Sequence, residues 1–441
     1  VCEDYSAIKA PVLAIGGWYD SYTNAVPRLI AGLPGRAWGI IGPWEHRYPH
    51  MAKVTPGIDF LSEAVRFWDH WLKGINNGVG QDPALRAYMI KAAPASGKNS
   101  PREGYWVSQT AWPSPAIATR SMHLDRSGLT EHPPKDGFVQ IHSPLDTGLA
   151  CGNFCPGMRI DDELPGDQRA DDAKSVVFET PPLAEDLAIL GAPEIELEIA
   201  ADKPLALIAA RLCDVAPDGA STRVSHNPFN LTHHASHEHP GALEPGKFYR
   251  VRFKLCDAGY IFPAGNRIRL ALSSNYWPMV WPAPQDASLT VRLAGSALHL
   301  PVRRAELDRI DMPAPPPLPE TTFKTLRPPS NTRTCETDQD LTSIEIHDDL
   351  GRLIDTSNGL VTDARAHHYY RISPGDPLSA LTGADWVFET ARQDWSARVE
   401  TNTEMTCDAT HFHLKASVKA FTRAEQVFEK HWNKKIARNL V

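Results

Sequence analysis

The chain has 441 residues with a formal net charge of −8 at pH 7 and 42% hydrophobic side chains, enough for two or three domains that each bury a core. An acidic balance with no basic stripe argues against nucleic-acid binding, and no apolar run reaches the length of a membrane span. Seven cysteines, an odd count in a long chain, do not spell a disulfide framework; a reducing compartment is favoured and a cytoplasmic protein expected, with no leader to read at Val1.

In chain order, the first elements read as a βαβ unit. Val12 to Ile15 and Ala37 to Ile41 are apolar runs of strand length, as in parallel strands covered on both faces. The segment between them has helix length, with Asn24 as a candidate N-cap and Gly35 past its end. Asp20 and His46 then lie just past the carboxyl ends of adjacent strands, the edge where open α/β sheets hold their chemistry. A second helix is predicted from Phe60 to Gly74, capped by Asp59. Its residues Leu61, Ala64, Val65, Trp68, Trp71 and Leu72 recur at helical spacing and are expected to pack on the sheet. His70 reads as a surface histidine in the last turn, and Leu85 to Ile90 as a further strand.

From about Ser121 the period changes to two. Ile195 to Ile199, Arg250 to Leu255, Arg267 to Leu270 and Leu289 to Leu293 alternate apolar with polar, separated by Pro and Gly turns, which indicates an antiparallel sandwich. His233, His234, His237 and His239 crowd one loop and read as a polar, hydrogen-bonding stretch in preference to a zinc site. Cys151 and Cys155, whose close spacing is a weak metal or disulfide hint, read in preference as unpaired loop thiols. Tyr276 and Trp277 belong to an aromatic cluster that either lines a substrate pocket or makes an interdomain contact. Residues 311–330 begin as a polyproline crossing segment, and residues 331–441 return to β structure expected to complete the same sandwich, with a separate small β domain as the alternative.

Asp before His fits the α/β-hydrolase order of nucleophile, acid, His. Yet the only serine before Asp20 is Ser6, and no G-x-S-x-G turn occurs in the chain. Two thirds of a triad are visible. Trp18, Tyr19 and Trp44 flank it, and either wall the site or pack the turns.

GGWYDSY at 16–22 and IGPWEHRYP at 41–49 resemble the Asp and His motifs of the cocaine esterase and X-Pro dipeptidyl-peptidase family, the CocE/NonD hydrolases. The helix at 60–74 and the stretches 243–255 and 262–278 are similar to that family too, so the likeness runs from Pro11 to at least Val302. It implies an α/β plus all-β chain: residues 1–112 as the C-terminal segment of an α/β-hydrolase domain, and 113–441 as a jelly-roll, galactose-binding-like β-sandwich. It also implies that Asp20 and His46 are triad acid and base, in ester or amide (X-Pro peptide) hydrolysis through an acyl-enzyme, a chemistry that needs no metal or organic cofactor. The first hydrolase strands and the serine are then expected on a second polypeptide. A second expectation follows from burial. Two or three strands alone would leave Val12, Leu13, Ile15, Ile40 and Ile41 exposed, at roughly 1.5 to 3 kcal/mol each. The alternative reading is a non-catalytic β-sandwich binding or assembly module retaining hydrolase remnants. No membrane or nucleic-acid partner is expected.

Overall fold

The computed structural model describes residues 4–158, 163–304 and 308–441. Strand β1 (Val12–Gly17), helix α1 (Ala25–Gly32) and strand β2 (Ala37–Gly42) form the expected βαβ unit, with β1 and β2 parallel in the register Val12↔Ala37 to Gly17↔Gly42. Helix α1 buries Val26 and Ile30 against the sheet, where they join Ile41, Leu85 and Met89 in one apolar cluster. Asn24 precedes α1 without capping it. Its side chain instead accepts the Asp257 backbone N–H at 2.8 Å, tying the helix start to the sandwich.

The sheet does not stop at two or three strands, which corrects the expectation drawn from its sequence. After helix α2 (Phe60–Lys73), strand β3 (Leu85–Lys91) pairs parallel with β2, and its C-terminal end, Ile90 and Lys91, pairs parallel with Ala258–Phe262 of the β domain. Strand β4 (Gly104–Gln109) runs antiparallel to the same β3. Through Ala258–Phe262 the sheet continues into Leu187–Gly191, Leu289–Arg303, Glu194–Ala201 and Tyr249–Lys254. Ile40 and Ile41 are therefore fully buried. Val12, Leu13 and Ile15 stay half-buried, because β1 pairs only with β2 among the described strands. The apolar loss falls on one edge.

A second sheet, in the order Ser221–Asn230, Leu207–Val215, Arg267–Ser273 and Val176–Glu179, faces the first. The alternation seen in sequence is the cause: Ile195, Leu197 and Ile199 from one sheet and Ile208, Ala210, Leu212, Ile268 and Leu270 from the other share one buried cluster. That cluster also contains Ile40, Trp44, Tyr88 and Trp106, so the α/β portion and the sandwich have a common core. On the face of this second sheet turned away from the first, Arg211 is fully buried, and its guanidinium donates to Asp172 Oδ1 at 3.0 Å and to Ser175 Oγ at 2.8 Å.

The proline-rich segment crosses back over the α/β portion, where the Pro313 carbonyl accepts the Asp59 N–H at 2.9 Å. Strands from Phe323–Arg327 to Glu425–Ala437 then form a third sheet, an antiparallel meander that among the described residues shares no strand pairing with the other two. It docks through Ile372 and Ala380 on Leu145 and Trp277. Arg438 adds a hydrogen bond to the Pro282 carbonyl at 2.7 Å.

Helix α2 departs from its expected packing. Asp59 Oδ1 caps it by accepting the Ser62 N–H at 3.2 Å, and Gly74 ends it in the left-handed region at φ 72°. Of the helix, only Phe67 is buried, against Trp38. Leu61, Val65, Trp68 and Leu72, spaced as one helical stripe, are 53 to 75% exposed. The periodicity correctly marked an apolar face, but the described structure puts no element on it. No helix among the described residues is long and apolar enough to cross a membrane.

Candidate active site

The turns after β1 and β2 are stitched together beyond the strand ladder. The Trp18 N–H donates to the Gly42 carbonyl at 2.9 Å and the Tyr19 N–H to the Trp44 carbonyl at 3.2 Å. Trp44, fully buried, lies over Gly17 and Gly42, and a Cβ on either glycine would overlap it. This close approach accounts for the glycines in GGW and IGPW. Glu45 is also fully buried, and its carboxylate accepts the backbone N–H groups of Lys53 at 2.9 Å and Val54 at 3.1 Å. The loop bearing His46 is thus held on both sides of its histidine.

The consequence is a defined dyad. His46 Nδ1 lies 2.9 Å from Asp20 Oδ2, while Asp20 Oδ1 accepts the Tyr22 N–H at 2.8 Å. The Asp20 side chain is 13% exposed and that of His46 40%, so the carboxylate is sheltered and the imidazole opens outward. The Tyr22 ring lies 5.4 Å from the imidazole centre. With Nδ1 donating to the carboxylate, Nε2 carries the lone pair and can accept a proton.

Two cavities meet at Asp20. One of about 670 Å³ is lined by Leu13, Ile15, Asp20, Trp44, His46 and Trp68, and runs along the unpaired side of β1. The other, about 330 Å³, is lined by Trp18, Tyr19, Asp20, Arg223, His226 and Asp257, between the α/β portion and the sandwich. Burial pushes the Asp257 carboxyl up to about 6, partly opposed by Lys254 and Arg28. Burial and then the Arg223 charge push His226 well below the usual imidazole range.

Of the flanking aromatics, Trp18 donates its indole N–H to the Tyr88 carbonyl at 2.6 Å, and the Tyr19 hydroxyl accepts from Arg102 Nε at 3.1 Å. Both line the smaller cavity and Trp44 the larger. Tyr276 and Trp277 line neither. Tyr276 is buried with its hydroxyl accepting from Arg223 Nη1 at 2.7 Å, and Trp277 is wedged edge-on between Trp281 and Tyr370, where the third sheet docks. Ser6 sits on the surface, donating to Asp4 Oδ2 at 2.8 Å. In the histidine loop, His233 and His237 bring their Nδ1 atoms to 3.3 Å, and His234 Nδ1 lies 3.1 Å from the Leu231 carbonyl. Cys151 is a buried thiol, pushed up to about 11 by desolvation.

Sequence reasoning named Cys155 but did not join it to Asp20 and His46. Its Sγ, a ring nitrogen of His46 and a carboxylate oxygen of Asp20 lie within 4.8 Å of one another. No local signal links positions so far apart in the chain.

The profile of the X-Pro dipeptidyl-peptidase C-terminal non-catalytic domain matches residues 77–309, more than half of the chain, and that of the X-Pro dipeptidyl-peptidase S15 family matches residues 1–48. The chain belongs to the cocaine esterase and X-Pro dipeptidyl-peptidase family. Among its relatives in that family, a Mycobacterium bovis protein provisionally named a serine esterase is 26% identical over 352 residues, covering 70% of this chain and 51% of the relative. The cocaine esterase of Rhodococcus sp. is 22% identical over 304 residues, covering 63% of this chain and 50% of that enzyme. A solved aminopeptidase from the marine sediment archaeon Thaumarchaeota archaeon superposes with a TM-score of 0.55 at 20% identity, over 67% of this chain and 56% of that one. At such identity the last comparison speaks for the fold alone. This family member spans about half the length of the curated relatives it matches.

Proposed function

We propose that the chain contributes the acid and the base of a serine hydrolase acting on an ester or amide bond, X-Pro peptides included, with the nucleophilic serine supplied by a second polypeptide. The observation that carries this reading is the 2.9 Å contact between His46 Nδ1 and Asp20 Oδ2 at the carboxyl edge of parallel β1 and β2. In the proposed reaction the serine hydroxyl attacks the substrate carbonyl as His46 Nε2 takes its proton, and Asp20 stabilises the imidazolium. His46 then protonates the leaving alcohol or amine. Water, deprotonated by the same nitrogen, releases the acid from the acyl-enzyme.

Two features support an external contribution of the missing strands: the edge of β1 that no described strand pairs, and the exposed stripe of Leu61, Val65, Trp68 and Leu72 on α2. A strand edge beside uncovered apolar residues is the surface that a continuing sheet and its helices would cover. The β-sandwich, which we read as a jelly roll, would brace the His46 loop through the Pro156 carbonyl, which accepts the His46 N–H at 2.8 Å.

Serine-directed fluorophosphonate labelling, with mass analysis of every polypeptide in the preparation, tests the reading. Label on a serine of an associated polypeptide, lost in His46→Asn, supports it. Absence of any labelled serine in material that retains its folded associated polypeptide overturns it.

A further inference from the structure

We propose that Asp20, His46 and Cys155 form a binding site for a thiophilic divalent cation of the zinc class. The three donors come from three separate segments. Asp20 is in the turn after β1, His46 in the loop after β2, and Cys155 in the sandwich loop between strands Phe138–Ile141 and Val176–Glu179, yet one donor atom from each lies within 4.8 Å of the others. The sulfur is not there by a chance swing of a free loop. The His46 N–H donates to the Pro156 carbonyl at 2.8 Å, and the Gly157 N–H to Glu163 Oε2 at 2.7 Å. Glu163 also accepts from the Asn153 side chain at 3.2 Å. Gly157 adopts φ 106°, and a Cβ there would stand 2.7 Å from Glu45 Cγ and 2.9 Å from the His46 nitrogen, so the loop is seated against the histidine backbone.

The donor set selects the cation. One thiolate, one imidazole and one carboxylate suit zinc-class ions and are a poor match to magnesium or calcium, which take oxygen ligands. Three protein ligands with an outward-facing imidazole leave a fourth tetrahedral position for water. Zinc bonds of about 2.0 to 2.3 Å place tetrahedral ligands about 3.3 to 3.8 Å apart. The Asp20 to His46 contact of 2.9 Å therefore opens by a few tenths of an ångström on binding, while the Cys155 side chain closes in. The bound cation takes up the Asp20 carboxylate and an imidazole lone pair, so it would silence His46 as a base. That regulatory consequence rests on the hydrolase reading; the binding site itself does not.

The test is a titration of the purified chain with cobalt(II), a spectroscopic stand-in for zinc, and with zinc by calorimetry. One cobalt per chain is expected, with a near-ultraviolet thiolate charge-transfer band. Cys155→Ser should abolish the band and weaken zinc binding at least about tenfold, whereas Cys335→Ser, an exposed thiol elsewhere, should leave both unchanged. His46→Asn should weaken cobalt binding as well, and circular dichroism reports whether each variant folds. No band in the parent chain, or an undiminished band in folded Cys155→Ser, overturns the proposal. Because neither readout involves a nucleophile or a substrate, failure here leaves the serine-hydrolase reading standing, and failure of the labelling experiment leaves the cation site standing.

Discussion

Gly17 lies directly beneath Trp44, so close that a Cβ on the glycine would overlap the tryptophan carbonyl oxygen and come 2.5 Å from its ring. The contact joins the end of the strand that carries Asp20 to the loop that carries His46. Their separation is therefore set by packing three residues before Asp20 and two before His46.

Gly17→Ala should cost about 2 kcal/mol or more in urea unfolding, within the range of overpacked cores, and should lengthen the Asp20 to His46 contact. Gly16→Ala is the comparison, since a Cβ there meets only Val26 Cγ2 at 3.1 Å. Equal losses for the two variants would show that the Trp44 contact does not organise the site.

Asp20→Asn should leave the fold intact, because an amide oxygen can still accept the Tyr22 N–H, yet lower hydrolytic turnover by about 10⁴ through loss of the required imidazole tautomer. Turnover of an activated ester by the unlabelled assembly, measured beside the melting temperature, checks both halves. Unchanged turnover would remove Asp20 from the mechanism.

Val65→Glu and Leu72→Glu fall on the exposed stripe of α2. Each should change the stability of the isolated chain by no more than about 0.5 kcal/mol. Each should weaken association with the strand-bearing polypeptide at least tenfold, since an apolar side chain buried there contributes about 1.5 to 3 kcal/mol. Sedimentation of the assembly reads the second effect, and full-strength association would place the partner elsewhere.

Arg211→Met should destabilise the sandwich by about 3 kcal/mol, because the buried Asp171 and Asp172 lose their shared counter-charge. Asp172 keeps Arg269 and the Ser221 hydroxyl, which places the loss at the low end for a broken buried pair. Urea unfolding measures it.

Asp257 gives the pH dependence. Burial raises its carboxyl from 3.8 to about 6, so folding favours the protonated form. Its contribution is fully present below about pH 4 and is lost as pH rises through 6, reaching about 3 kcal/mol at neutral pH. Asp257→Asn should therefore gain up to about 3 kcal/mol near pH 8, with the gain shrinking toward pH 4. A gain independent of pH would mean that the carboxylate is not desolvated.

The linear order of residues was enough to place the βαβ unit, the alternating strands of the sandwich and the likeness in GGWYDSY and IGPWEHRYP. Each of these depends on spacing within a few positions, where backbone geometry alone sets which side chains share a face. Long-range contacts decided the rest. The helical period marked Leu61, Val65, Trp68 and Leu72 as apolar, but whether that face is covered depends on what stands opposite it, which periodicity cannot encode. Asn24 reads as a cap in sequence, and its side chain went instead to a backbone N–H more than two hundred residues away. Tyr276 and Trp277 could have lined a pocket or filled a junction; the docking of the third sheet set Trp277 in the junction, and Tyr276 packs on the second sheet with Ala209 and Cys151. Cys155 reached His46 only because the sandwich loop hydrogen-bonds to the histidine backbone. Side-chain type and local period are properties of the chain, whereas which surfaces meet is a property of the folded whole.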